Sequence, residues 1–124
     1  MFITDDNIEL LLKLTNDYYI PILFSLMIGY YNNTVFITRL IYLLFSVQSI
    51  KVLTNRTRPN KSDKLSFPSG HTAIAFFVAF NMNNIYIYIW AILASLSRVY
   101  FEYHYYSDIV GGFILSYIIY FRII

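Results

Sequence analysis

The chain contains no cysteine, which excludes disulfides and thiolate metal sites. Charge is scarce as well: only 13% of the 124 residues are Asp, Glu, Lys or Arg, against about 25% in an ordinary soluble domain. So few charges cannot cover a globule of this size. The net charge is +2, and no run of five like charges occurs, so nothing points to nucleic acid as a partner. The segment from Met1 to Asn7 carries Asp5 and Asp6 but no Lys or Arg, unlike the positive start of a secretory signal. No internal repeat is evident. What is abundant is apolar: 58% of residues are hydrophobic and mean hydropathy is +0.55. A lipid-facing surface accounts for this composition; a hydrophobic subunit of a soluble complex is the alternative. The length suits one domain over 1–124.

Five apolar stretches run from Tyr18 to Tyr31, Val35 to Ile50, Thr72 to Phe80, Ile85 to Leu96 and Ile109 to Ile124. Each is shorter than the roughly 20 residues that cross a bilayer core, but flanking Tyr, Asn and Ser extend most of them into the interface. The alternation Ile85-Tyr86-Ile87-Tyr88-Ile89 has strand propensity. A lone strand, however, leaves its backbone polar groups unsatisfied in lipid, so helix is expected. The predicted fold is all-α: a compact polytopic transmembrane bundle of about five spans, with a short interfacial helix over 8–14. The loops at Tyr31–Thr34 and Asn81–Asn84 are uncharged, whereas Lys51–Phe67 is basic and Arg98–Asp108 is polar and aromatic. Simple alternation of five helices puts both charged loops on one membrane face.

The only two histidines, His71 and His104, lie where apolar stretches meet those charged loops. His71 follows Pro68-Ser69-Gly70, a turn leading into a helix N-terminus, whose free N–H groups attract anions. The same residues also suit an ordinary Ser69 cap. His104 precedes Asp108 by four residues, which on a helix sets both side chains on one face. A carboxylate there can hold one ring nitrogen and aim the other outward; as a mere surface pair it contributes only a few tenths of a kcal/mol. Lys51, Arg58 and Arg98 end apolar stretches on the same face, and such cations either clamp phosphate or anchor helix ends to headgroups. Lys61 and Lys64 fit the anchoring role. Arg39, inside the second stretch, is expected to snorkel to the interface.

Three spacings taken together carry more than any one of them. Lys51 is followed after six residues by Arg58-Pro59; Pro68-Ser69-Gly70-His71 comes next; then Ser97-Arg98, five residues, His104, three residues, Asp108. In this order they resemble the three signatures of the type 2 phosphatidic acid phosphatase and vanadium haloperoxidase superfamily. The signature region, 51–108, spans about half the chain.

The resemblance implies a metal-independent phosphatase without a cofactor. In it His104 attacks phosphorus to form a phosphohistidine, Asp108 orients His104, and His71 protonates the leaving alcohol. Lys51, Arg58 and Arg98 hold the phosphoryl oxygens, with Ser69 and the Gly70 N–H. The expected substrates are lipid phosphate monoesters of the phosphatidic acid kind, or isoprenoid diphosphates, and the expected location is integral to a membrane. Members usually have six spans, one more than the stretches counted here. A non-catalytic membrane protein that keeps the fold is the second hypothesis. A vanadate-dependent oxidant enzyme is the third, though its larger soluble architecture fits poorly. Either orientation in the membrane is compatible with the charges outside the signatures.

Overall fold

The computed structural model describes residues 5–28 and 33–122. Among them are six helices and no strand: α1 (Asp5–Asp17), α2 (Tyr19–Ile28), α3 (Thr34–Thr54), α4 (Gly70–Met82), α5 (Ile85–Tyr100) and α6 (Tyr106–Phe121). The all-α expectation therefore holds, and the Ile-Tyr alternation is helical in α5. The expected loop over Tyr31–Thr34 falls largely outside the described residues. So do the first four residues and the last two.

Asparagine punctuates the bundle. Asn33 and Asn84 cap the N-termini of α3 and α5, their side chains accepting from the N–H groups of Phe36 at 3.1 Å and Tyr86 at 2.8 Å. Asn55 and Asn83 close α3 and α4 in the left-handed conformation, at φ 49° and 48°. Asn tolerates this conformation better than most residues do. The break between α1 and α2 comes at Tyr18. Pro21, lacking an N–H, cannot donate to the carbonyl four residues back, and so interrupts the helical ladder there.

Helix α4 is the axis of the bundle. Its residues Thr72, Ala73 and Ala75–Phe80 are buried on all sides, and α2, α3, α5 and α6 all pack against it. Small residues let the helices close in: Ala73, Ala75 and Ala79 of α4 meet Ala91 and Ala94 of α5 in one core with Phe77, Leu43 and Ile119. Gly112 marks a close approach to the backbone at the start of α4. A Cβ there would lie 2.6 Å from the carbonyl oxygen of Ser69, so only glycine lets α6 cross the start of α4.

Helix lengths differ from expectation. With 21 residues, α3 is the one described helix long and apolar enough to cross a membrane, reaching about 32 Å. Helices α4, α5 and α6 are apolar but have only 13, 16 and 16 residues, about 20–24 Å each. Five full spans are therefore not what the helix lengths give. Helices α3, α4 and α5 each run past the apolar stretch they contain, to caps at Asn55, Asn83 and Phe101, but only α3 gains enough length to cross. The expected interfacial helix over 8–14 is part of the longer α1, which packs on α5; Leu12 and Thr15 are buried while Ile8, Leu10, Leu11 and Leu14 stay exposed. A groove of about 580 Å³ on the outer side of α3, lined by Ile41, Tyr42, Phe45 and Leu115 among others, is almost wholly apolar.

Arg39 is half-buried and does not simply reach outward. Its guanidinium carbon stands 5.4 Å from the ring centre of Tyr120 in α6, and the aromatic face supplies partial negative charge.

Candidate active site

Four helix ends and the α1–α2 junction converge at one end of the bundle. The last turn of α3 brings Lys51, the first turn of α4 brings Ser69, Gly70 and His71, the last turn of α5 brings Arg98, and the first turn of α6 brings Asp108. The loop between α3 and α4 contributes Arg58, and the short loop before α6 contributes His104. Backbone hydrogen bonds lock these pieces together. The Ser69 N–H donates to the Asp108 carbonyl at 3.0 Å, the His104 N–H to the Arg98 carbonyl at 3.1 Å, and the Asn60 N–H to the Glu102 carbonyl at 3.1 Å.

His104 and Asp108 meet, but not on one helical face. His104 lies ahead of Tyr105, the N-cap of α6, and Asp108 is the third residue inside the helix. From there the carboxylate turns back to accept the Tyr105 N–H at 2.8 Å, as the acidic residue of a capping box does. Oδ2 of Asp108 then stands 3.4 Å from Nδ1 of His104, without an aligned hydrogen bond at Nδ1. The same Oδ2 accepts the Ser66 hydroxyl, and Oδ1 accepts from Arg56 at 3.1 Å. Both side chains are sealed, His104 2% and Asp108 0% exposed.

The other ring nitrogen fixes the tautomer. Nε2 of His104 lies 3.3 Å from Nη1 of Arg58. A guanidinium can only donate, so Nε2 must accept, which leaves the proton on Nδ1 facing Asp108. Burial, followed by the positive charges of Arg58, Lys51 and Arg98, pushes the His104 imidazole down to about 4, with Asp108 opposing. At neutral pH it is an unprotonated base whose lone pair points at a cation.

The three cations are arranged around this nitrogen with donors to spare. Arg58 is held by Asp63 at 2.7 Å and by the Tyr103 carbonyl at 3.3 Å; its hydrogen bond keeps the Asp63 carboxyl below the usual carboxylate range. Lys51, only 8% exposed, donates one of its three protons to the Leu65 carbonyl at 2.6 Å. Arg98 bonds Asn16 of α1 at 3.2 Å and lies 4.1 Å over the Tyr103 ring, while its buried Nε has no partner. Ser69 caps α4 by accepting the Thr72 N–H at 3.3 Å, which leaves its own hydroxyl proton to give. The Gly70 N–H occupies the first helical position, where no intrahelical partner exists. Among the described residues no three His, Cys, Asp or Glu side chains gather as metal ligands would. What the site presents is a cluster of three cations beside a buried histidine–carboxylate pair.

Its sequence carries the same signal. Residues 19–124 match the PAP2 superfamily. The chain belongs to that superfamily. Membership supports a general phosphatase role, in line with a base set among cations. No solved structure matches the chain.

His71 lies beside this cluster of the PAP2 chain but is held differently from His104. Its electrostatic neighbours are Arg98, His104, Lys51 and Arg58. Its ring packs at 4.3 Å against Tyr19 of α2, whose hydroxyl donates to the His71 carbonyl at 2.9 Å. Tyr19 and Asn16 belong to the site yet lie more than thirty residues before Lys51, where no spacing rule links them to it. Arg56 and Ser66 were also hidden. Arg56 reads as one more basic loop residue, and Ser66 as loop filler, until the loop folds over Asp108. There Arg56 also bonds Ser107 at 2.6 Å and lies 4.3 Å over the Tyr105 ring.

Proposed function

We propose that this PAP2 protein is an integral-membrane, metal-independent phosphatase that hydrolyses lipid phosphate monoesters, or isoprenoid diphosphates, through a phosphohistidine. The observation that carries this reading is the His104 ring: one nitrogen faces a buried carboxylate, and the other lies 3.3 Å from a cation. A phosphoryl group bound by Arg58, Lys51 and Arg98 places phosphorus in front of the Nε2 lone pair. Phosphoryl transfer asks mainly for positioning and neutralisation of the equatorial oxygens. Three fixed cations, the Ser69 hydroxyl and the Gly70 N–H supply both.

In the first step the N–P bond forms as the ester P–O bond breaks, and His71 gives its proton to the departing alkoxide. Burial first, and then the cations Arg98, Lys51 and Arg58, oppose a protonated His71; the substrate's negative charge offsets the cations. Asp108 stabilises the His104 ring once it bears phosphorus and positive charge. In the second step water loses a proton to His71 and attacks phosphorus, releasing phosphate and free His104. A membrane setting brings a lipid substrate directly to the site. Exposed Ile41, Phe45, Val52 and Leu53 on α3 suit hydrocarbon contact, as does that helix's length.

The test is phosphate release from phosphatidic acid by detergent-purified protein with EDTA present, compared with His104→Ala. Turnover that survives EDTA and vanishes in the variant is expected, along with inhibition by vanadate, which mimics pentacoordinate phosphorus. A wild type inert on every lipid phosphate tried would favour a non-catalytic membrane protein. Loss of activity with EDTA would overturn the metal-free mechanism.

A further inference from the structure

The signature residues leave two neighbours unexplained, both at the α1–α2 junction. Tyr19 is among the most deeply buried large side chains, 2% exposed. Its ring lies between the His71 ring at 4.3 Å and the Trp90 ring of α5 at 5.4 Å. Its hydroxyl donates to the His71 carbonyl, so both the ring and the backbone of His71 rest on one residue. Three positions earlier, Asn16 accepts a hydrogen bond from Arg98 Nη1 at 3.2 Å. A core phenol used only for packing would need any nearby acceptor. The acceptor here is the carbonyl of the histidine that the ring also touches.

We infer that the α1–α2 junction is a positioning element for the reaction, in which Tyr19 sets the imidazole of His71 for proton transfer to the leaving group and Asn16 sets the guanidinium of Arg98 for the phosphoryl oxygens. The inference rests on the reading of His71 as general acid and Arg98 as a phosphate clamp. It makes the segment before the signature region part of the machinery. Neither residue touches the substrate; each acts through its partner. The two roles predict different kinetic signatures. A misplaced acid slows departure of a basic alkoxide and spares a leaving group that needs no proton. A misplaced clamp weakens phosphate binding whatever the leaving group.

The experiment compares full-length wild type, Tyr19→Phe, Tyr19→Leu, Asn16→Ala and His71→Ala in detergent, on an alkyl phosphate and on p-nitrophenyl phosphate. Tyr19→Leu is expected to lower kcat/KM, which covers only the steps through loss of the leaving group, about 10- to 100-fold on the alkyl ester and less than about threefold on the aryl ester, part of the 10²–10⁴ that general acid catalysis supplies. Tyr19→Phe keeps the ring and falls in between, again selectively. Asn16→Ala is expected to raise KM about three- to tenfold on both esters with kcat little changed. Retained aryl-ester turnover shows that the variants are folded. Equal losses in kcat/KM on both esters in both Tyr19 variants would overturn the positioning role, because a merely structural residue does not discriminate between leaving groups. If His71→Ala itself shows no preference for the aryl ester in kcat/KM, the general-acid reading has failed and the Tyr19 role falls with it. If His71→Ala discriminates and the Tyr19 variants match wild type, the Tyr19 role alone is wrong. An unchanged KM in Asn16→Ala would overturn the Asn16 role.

Discussion

Replacing Asp108 with Asn tests the centre of the site with the smallest change in shape. The carboxylate faces donors on both oxygens. Oδ1 accepts from Arg56 at 3.1 Å; Oδ2 accepts from the Tyr105 N–H at 2.8 Å and from the Ser66 hydroxyl. An amide has only one acceptor oxygen, so its nitrogen must meet one set of donors. Turned toward Arg56, donor faces donor, and the mismatch costs about 1–3 kcal/mol. Turned toward Tyr105, it strips the cap N–H of its acceptor, about 1 kcal/mol. It also presents a donor to His104 Nδ1, which drives the ring proton to Nε2, where Arg58 already donates at 3.3 Å. In that second orientation the neutral Nδ1–H form loses its preference, and in either orientation the imidazolium-like phosphohistidine loses a buried counter-charge. The Arg56 side chain is 38% exposed, so the ion pair itself adds little to stability. A loss of about 1–3 kcal/mol in stability is therefore expected, with a fall of about 10²- to 10⁴-fold in kcat. Phosphate release and thermal unfolding, measured on the same detergent sample, separate the two effects. A folded Asp108→Asn protein within about threefold of wild-type turnover would refute the orienting role.

Other outcomes follow from the same geometry. His104 should stay unprotonated to about pH 4, so its imidazole resonances in detergent should titrate near there; a midpoint close to the ordinary 6.5 would contradict the buried, cation-ringed placement. The unfolded imidazole takes up its proton below about pH 6.5, whereas the folded one resists until about pH 4. This contribution to stability is full above that window and is lost as pH falls through it, which unfolding curves at pH 7 and pH 4.5 would show. Gly112→Ala puts a Cβ 2.6 Å from the Ser69 carbonyl oxygen, so it should cost about 1–3 kcal/mol by overpacking; an unchanged unfolding midpoint would show that α6 can slide. Arg56→Met should leave unfolding within about 1 kcal/mol yet reduce kcat about three- to tenfold by releasing one Asp108 oxygen.

Helix content and the signature set were legible in the sequence because both are local. Apolar stretches and Asn punctuation mark where helices run and stop, and Lys51, Arg58, His71, Arg98, His104 and Asp108 sit at fixed spacings that the chain carries on its face. The PAP2 match over 19–124 rests on the same linear order. The sequence was less informative about helix ends. Arg98 and Asp108 were expected at the edges of one long loop, but α5 runs to Tyr100 and α6 starts at Tyr106. Both residues are therefore held by helical backbone, and Asp108 reaches His104 by folding back over a cap. Helices α3, α4 and α5 run beyond the apolar stretches that mark them, since apolar composition does not say where a cap will end a helix.

Tertiary structure alone decided what surrounds the signature residues. Arg56 and Ser66 reach Asp108 across 52 and 42 residues, Tyr19 reaches the His71 carbonyl across 52, and Asn16 reaches Arg98 across 82. No periodicity links positions that far apart. The bundle closes around α4, and that closure brings the α1–α2 junction and the long loop over the site. The sequence by itself determined which residues the proposed phosphoryl chemistry would draw on. Folding determined which nitrogen of His104 carries the lone pair, because that depends on Asp108 on one side of the ring and Arg58 on the other.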